Sequence, residues 1–164
     1  MVEDERYIVH ELSKHLPKNT PVSLQRRNIP THIVNRAERV VGKKFPIKPK
    51  YYTYAPEKRI AQRRRTEGWD AFSQDVYEGK KKKPVRILVT IPESSHKDRI
   101  VREATLTHEL AEVLCSSHGS SYSRCHSMGL KAENIAIRKH GTSRRKITSK
   151  SKKMFNKMYG KKRR

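Results

Sequence analysis

Apolar residues recur at helical spacing close to the N-terminus. Between residues 3 and 16, Ile8, Leu12 and Leu16 lie four residues apart, and this spacing predicts a helix with one buried face. Several prolines and an asparagine interrupt residues 17–30. We therefore interpret that segment as a turn-rich connection between two elements.

The following segments alternate between helical and extended patterns. Residues 31–41 carry four apolar side chains on one helical face, and Gly42 stands where a helix commonly ends. Prolines and tyrosines in residues 44–56 predict a short extended segment. Residues 56–66 are polar and arginine-rich and predict a further helix, whereas residues 68–79 show no clear periodicity.

The clearest prediction concerns residues 85–91. This short β-branched run lies between two prolines, which is typical of a buried strand, and residues 92–95 predict a turn after it. A long helix over residues 97–115, a Ser/Gly loop and a second helix over residues 124–139 follow. The expected fold class is α+β, a mostly helical small domain with a short β-sheet before the long helix.

Charge divides the chain into unequal parts. Its 39 Lys+Arg and 16 Asp+Glu give a formal net charge of +23. Residues 134–164 contain 13 basic residues and no acidic one, which leaves a net +10 for residues 1–133. We interpret residues 1–42 as an N-terminal helical segment, 43–140 as the core, and 141–164 as a flexible basic tail with at most two helical turns.

So large a positive charge predicts a polyanionic partner. Nucleic acid is the first expectation, because basic side chains release condensed counterions from phosphates. An anionic membrane surface ranks well behind, since lipid-binding helices expose aromatic residues and this chain has one Trp and three Phe. The expected nucleic-acid contacts are basic clusters: Arg63, Arg64, Arg65, Lys80, Lys81, Lys82, Lys83, Arg144, Arg145, Lys146, Lys161, Lys162, Arg163 and Arg164.

Two further observations narrow the class of protein. The chain has only Cys115 and Cys125, too few for a disulfide framework, and its acidic N-terminus is unlike a signal peptide. We therefore expect an intracellular protein, in the cytoplasm or with the nucleoid or nucleus. A phosphate-binding glycine loop is absent from the sequence, which argues against a P-loop nucleotide hydrolase.

The candidate chemistry lies in the two helices predicted around the Ser/Gly loop. His108 and Glu112 are four residues apart on one face, so an imidazole nitrogen and a carboxylate oxygen could chelate one metal ion. Glu109 lies about 100° round the helix, from where it could address a metal-bound water. The second helix offers His126 and Glu133 on a common face, and a short loop allows the two helices to pack antiparallel.

This order of strand, turn, His-Glu-x-x-Glu helix and second ligand-bearing helix resembles a zinc metallopeptidase of the zincin type, over about a third of the chain. The resemblance implies His108 as the first metal ligand, Glu109 as the general base, and Glu133 or else His126 as the third ligand. Glu112 stands where the family has its second histidine. A more anionic site of this kind admits Mn²⁺ or Fe²⁺ beside Zn²⁺.

Two other interpretations of this region stay open. Cys115, His118, Cys125 and His126 form a valid ligand set for structural zinc. Alternatively, Cys115 is a nucleophile with His118 or His126 as its base. Failing both, the two cysteines are small buried residues.

Together these features predict a nucleic-acid-associated protein with a zincin-like, metal-dependent hydrolase site of peptidase type, for which protein is a candidate substrate. The alternative is a non-enzymatic basic RNA- or DNA-binding protein, such as a ribonucleoprotein component or a DNA-packaging factor. In that alternative the His/Glu cluster is structural.

Overall fold

A four-stranded sheet and six helices make up the part of the chain that the computed structural model describes, residues 3–16, 19–56 and 71–159. The helices are α1 (Glu3–Ser13), α2 (Thr31–Val41), α3 (Glu93–His96), α4 (Arg99–Ser117), α5 (Tyr122–Lys139) and α6 (Arg144–Tyr159). The strands are β1 (Val22–Arg27), β2 (Lys50–Pro56), β3 (Phe72–Val76) and β4 (Arg86–Pro92). The α+β fold class is confirmed.

The sheet is mixed, in the order β1-β2-β4-β3. Its two central strands run parallel, with Tyr52 opposite Thr90. Each edge strand is antiparallel to its neighbour, so Leu24 faces Tyr54 and Ser73 faces Val89. The predicted strand over residues 85–91 is therefore β4, with neighbours on both sides.

Strand β4 is buried on both faces, which explains its unbroken apolar sequence. Alternate side chains point to opposite faces of a strand. Ile87, Val89 and Ile91 belong to the main core, together with residues of α2, α4 and α5. Leu88 belongs to a second cluster on the other face, which includes Ile8 of α1.

Helices α4 and α5 form a hairpin whose first turns are both capped by side chains. The Asp98 carboxylate accepts the backbone N–H groups of Ile100 and Val101, and the Ser121 hydroxyl accepts that of Arg124. A disulfide between Cys115 and Cys125, with a Cα–Cα distance of 5.2 Å, joins the end of α4 to the start of α5. The two ligand-bearing helices are thus tied together at one end.

Two strands were not predicted. The turn-rich connection expected over residues 17–30 contains β1, so that part of the prediction is wrong. Strand β3 lies in the segment without clear periodicity, and all five of its residues are half-buried. The helix predicted over residues 56–66 lies almost wholly outside the described residues.

The C-terminal stretch contains more regular structure than its sequence predicted. Instead of at most two turns, it forms the 16-residue helix α6. Ile147 packs with Val101, Ala104 and Ile137, and Phe155 is 2% exposed. This part of the basic segment therefore packs against the domain. Within the described residues, no helix is both long and apolar enough to cross a membrane.

Candidate metal centre

Three potential metal-ligating side chains converge between α4 and α5. Glu112 Oε2 lies 2.9 Å from His108 Nε2 and 3.3 Å from His126 Nδ1. One ligand atom from each of the three residues lies within 4.8 Å of the others. This group could hold a metal ion, because two imidazole nitrogens and one carboxylate oxygen form the ligand set of several zinc hydrolases.

Local structure explains the convergence. His108 and Glu112 are one helical turn apart on α4, as the sequence predicted. The hairpin brings His126, near the start of α5, against the same carboxylate. The rings of His108 and His126 meet edge to face with centroids 5.4 Å apart, and Tyr122 stacks on His126 at 5.8 Å. Tyr122 was not among the predicted site residues, since its role depends on this stacking.

Gly129 of α5 sets the approach of the two helices at this point, and sequence reasoning missed it. A Cβ atom at Gly129 would lie 2.9 Å from both Cδ2 and Nε2 of His108, closer than real Cβ contacts. The only sequence signal was a glycine inside a predicted helix, which often has a packing reason.

Glu133 lies beside the ligand group but is not a member of it. Its Oε2 is 3.6 Å from His108 Nδ1, the ring nitrogen opposite the one that contacts Glu112. The Nε of Arg144, in the first turn of α6, lies 3.3 Å from the same Glu133 oxygen. The His108 ring therefore lies between Glu112, which is the carboxylate of the ligand group, on one side and Glu133 on the other. Arg144 was predicted as a nucleic-acid contact, not as a neighbour of the site.

Glu109 lines the same cleft as the ligand group and is 9% exposed. The cleft has a volume of about 470 Å³. Strand β3 contributes Phe72 and Ser73 to its lining. Helix α6 provides another wall, with Arg144, Ile147, Thr148, Ser151, Lys152 and Phe155.

The carboxylates around His108 control its protonation. Burial by itself lowers the pKa of the His108 imidazole, but Glu112 and Glu133 outweigh burial and raise that pKa to about 10. In turn, the His108 imidazole lowers the pKa of the Glu112 carboxyl. The His108 ring therefore lies between two carboxylates, which is an environment suited to a cation.

The structure contradicts both cysteine-based interpretations. Cys115 and Cys125 are bonded to each other, so neither offers a thiolate to a metal ion or to a substrate. His118 instead contacts the backbone carbonyl oxygen of Lys44 through its Nε2. The expectation that the two cysteines are small buried residues is confirmed, and the disulfide between them was not predicted. The intracellular location stays a prediction.

Apart from Arg144, the predicted nucleic-acid residues fall into three sets. Residues 80–83 are exposed in the connection between β3 and β4. Arg145 and Lys146 line a groove of about 610 Å³ on the outer side of α6. Residues 63–65 and 161–164 lie outside the described residues.

No family model, curated protein or solved structure matches this chain. The resemblance to zincins therefore rests on the order of the elements and on the motif that begins at His108.

Proposed function

We propose that this protein is a metal-dependent hydrolase of peptidase type that works in association with nucleic acid. The observation that supports the proposal is the convergence of His108, Glu112 and His126 in a cleft that Glu109 also lines. Three protein ligands leave a coordination position for water, which separates a catalytic metal site from a closed structural one.

Zn²⁺ is the metal that we propose first. A set of two histidines and one glutamate is common to zinc hydrolases. The same set also suits Fe²⁺, and its carboxylate suits Mn²⁺. A divalent ion held there would supply Lewis-acid chemistry and would lower the pKa of a water bound to it. His108, Glu112 and His126 would provide the ligand atoms.

Glu109 is the residue that we propose as the general base. It is adjacent to a ligand in sequence, lines the cleft, and lies about 100° round α4 from His108. A carboxylate there accepts a proton from the attacking water and returns it to the leaving amine. Glu133 is proposed to orient His108 and not to bind the metal, because it faces the other ring nitrogen.

The test begins with metal analysis of protein purified without chelators, followed by hydrolysis of quenched fluorescent casein. We expect about one equivalent of metal per chain in the wild type and none in His108→Ala. Glu109→Gln should retain the metal but hydrolyse casein at least about 100-fold more slowly, since a positioned base contributes that much or more.

The control for Glu109→Gln is Glu78→Gln, the same change at an exposed position between β3 and β4. That variant should keep both metal and hydrolysis. Absence of stoichiometric metal from the wild type would contradict the hydrolase proposal. It would leave the alternative of a non-enzymatic RNA- or DNA-binding protein with a structural His/Glu cluster.

The association with nucleic acid is proposed from the charge of α6. Seven of its sixteen residues are basic and none is acidic. Its outer groove is lined by Ser143, Arg145, Lys146, Ser149, Lys150 and Lys153, a combination of cations and hydroxyl groups that suits phosphate oxygens. RNA and DNA both satisfy this chemistry.

A further inference from the structure

One carboxylate oxygen of Glu133 is buried between the His108 ring and the Arg144 guanidinium. Its Oε2 lies 3.6 Å from His108 Nδ1 and 3.3 Å from Arg144 Nε. The atom is buried and makes no hydrogen bond of normal geometry in the described structure. Its two neighbours therefore provide the compensation that a buried carboxylate requires.

Arg144 occupies a position that the helix itself does not favour. The first turn of α6 begins with Arg144, Arg145 and Lys146, at the end where the helix dipole disfavours positive charge. Of these three, Arg144 is the one that has a carboxylate partner among the described residues, and its side chain is 53% exposed. The ion pair with Glu133 offsets the unfavourable position and fixes the start of α6 against α5.

We propose that Arg144 is a positioning residue of the metal centre, acting through Glu133 on His108. Held by Arg144, the Glu133 carboxylate faces Nδ1 of His108 and favours the proton on that nitrogen, so that the Nε2 lone pair is directed at the group formed by Glu112 and His126. A carboxylate on the outer nitrogen of a metal-binding histidine fixes the ring orientation and its tautomer. The inference rests on the metal site of the proposed function.

The consequence is that the basic C-terminal helix takes part in the metal centre. Arg144 belongs to α6, whereas the ligand group belongs to α4 and α5. The path from α6 to the ligand group has two contacts, Arg144 to Glu133 and Glu133 to His108, both within 4 Å. Removal of the Arg144 guanidinium should therefore weaken metal binding without removing a ligand.

The experiment is a Zn²⁺ titration of the full chain against a competing chromophoric chelator. We expect Arg144→Gln to bind Zn²⁺ about 10-fold more weakly than the wild type, the lower end of the range for residues that orient ligands. Arg145→Gln is the matched control, the same change one residue later and on the outer groove. It should stay within twofold of the wild type.

A double-mutant cycle tests the route through Glu133. If Arg144 acts through Glu133, the variant Arg144→Gln/Glu133→Gln should bind Zn²⁺ no more weakly than Glu133→Gln alone. In the Zn²⁺-loaded wild type, the imidazole ¹⁵N shifts of His108 should report a proton on Nδ1. Thermal unfolding of each variant provides the control for folding.

Two results would overturn the inference. The first is an equal Zn²⁺ affinity for Arg144→Gln and Arg145→Gln, and the second is a double variant whose losses multiply. A wild type that binds no Zn²⁺ contradicts the proposed function itself and removes the basis of this inference. The titration therefore distinguishes the two failures.

Discussion

At the scale of single residues, Gly129 affects how closely the ring of the candidate ligand His108 can approach α5. Its missing Cβ makes room for the His108 ring, whose Cδ2 and Nε2 would lie 2.9 Å from that atom. Glycine inside a helix lowers the stability of that helix by about 1 kcal/mol relative to alanine. The space that Gly129 leaves for the His108 ring is therefore gained at the expense of the stability of α5. The missing side chain at Gly129 thus makes room for a residue of α4 and does not stabilise α5 itself.

The prediction from Gly129 separates metal binding from helix stability. Gly129→Ala should displace the His108 ring and weaken Zn²⁺ binding at least about 10-fold, the scale observed when support for a ligand is lost. The control is Ser127→Ala, which also raises helix propensity but lies at an exposed position of α5. An unchanged Zn²⁺ affinity of Gly129→Ala would contradict the prediction.

Glu103 is a second residue with an effect beyond its own helix. It is buried on α4 and contacts His140 at the end of α5, as well as Arg36 and His32 of α2. Burial alone would raise the pKa of its carboxyl, but His140 and Arg36 outweigh burial and lower that pKa from 4.5 to about 2. A difference of this size corresponds to about 3 kcal/mol.

The Glu103 carboxyl should make the folded protein less stable at acid pH. Because the folded carboxyl has the lower pKa, its contribution is fully present above pH 4.5 and is lost as the pH falls towards 2. Urea unfolding should show that the wild type loses about 2 kcal/mol more between pH 6 and pH 3 than Glu103→Gln does. Equal losses in the two proteins would show that the Glu103 contacts do not stabilise the fold.

At the scale of elements, the α4–α5 hairpin carries the ligand group and the disulfide closes one of its ends. The two cysteines are ten residues apart. In the chain-entropy model, cross-linking a loop of this length restricts the unfolded chain and stabilises the fold by about 2–3 kcal/mol.

Reduction should therefore destabilise the protein by about that amount. We expect the midpoint of urea unfolding to fall when a reductant is added, and the double variant Cys115→Ser/Cys125→Ser to resemble the reduced wild type. The double variant should itself be insensitive to the reductant. Two titratable thiols in the unreduced, purified protein would contradict the pairing.

The elements also show which patterns the sequence could and could not reveal. Strand β4 was predictable because both of its faces are buried, so its apolar run is continuous. Strand β1 (Val22–Arg27) is an edge strand with no fully buried residue, and its pairing with β2 defines it more than its composition does. In α6, the apolar residues Ile147 and Met154 are separated by six polar ones, so the helical face is visible only once its packing is known.

The candidate centre divides in the same way. His108 and Glu112 were found because ligand spacing within one helix is a local property of the sequence. The prediction of His126 as a ligand needed one further assumption, that the two predicted helices form a hairpin. The roles of Gly129 and Arg144 depend on distances between helices, which the sequence does not show. Likewise, the spacing of two cysteines does not specify whether they form a disulfide.

At the scale of the whole molecule, the question is how the charge of +23 acts through the fold. Removal of residues 141–164 does not test charge alone, because Ile147 and Phe155 are buried and their loss would disturb packing together with charge. Substitutions confined to the outer groove of α6 keep these contacts. Arg144 is also left unchanged, since it pairs with Glu133.

The prediction concerns the salt dependence of binding to a 20-base-pair DNA duplex. Replacing Arg145, Lys146 and Lys153 with glutamine should weaken binding and reduce the slope of log K against log salt by up to about 3, since each lost phosphate contact removes about 0.9. A control variant loses the same charge at exposed positions outside α6: Arg39→Gln, Lys43→Gln and Lys131→Gln. If net charge alone attracts the duplex, both variants should behave alike. A smaller slope in the first variant only would assign the contact to α6, the helix that also forms a wall of the cleft.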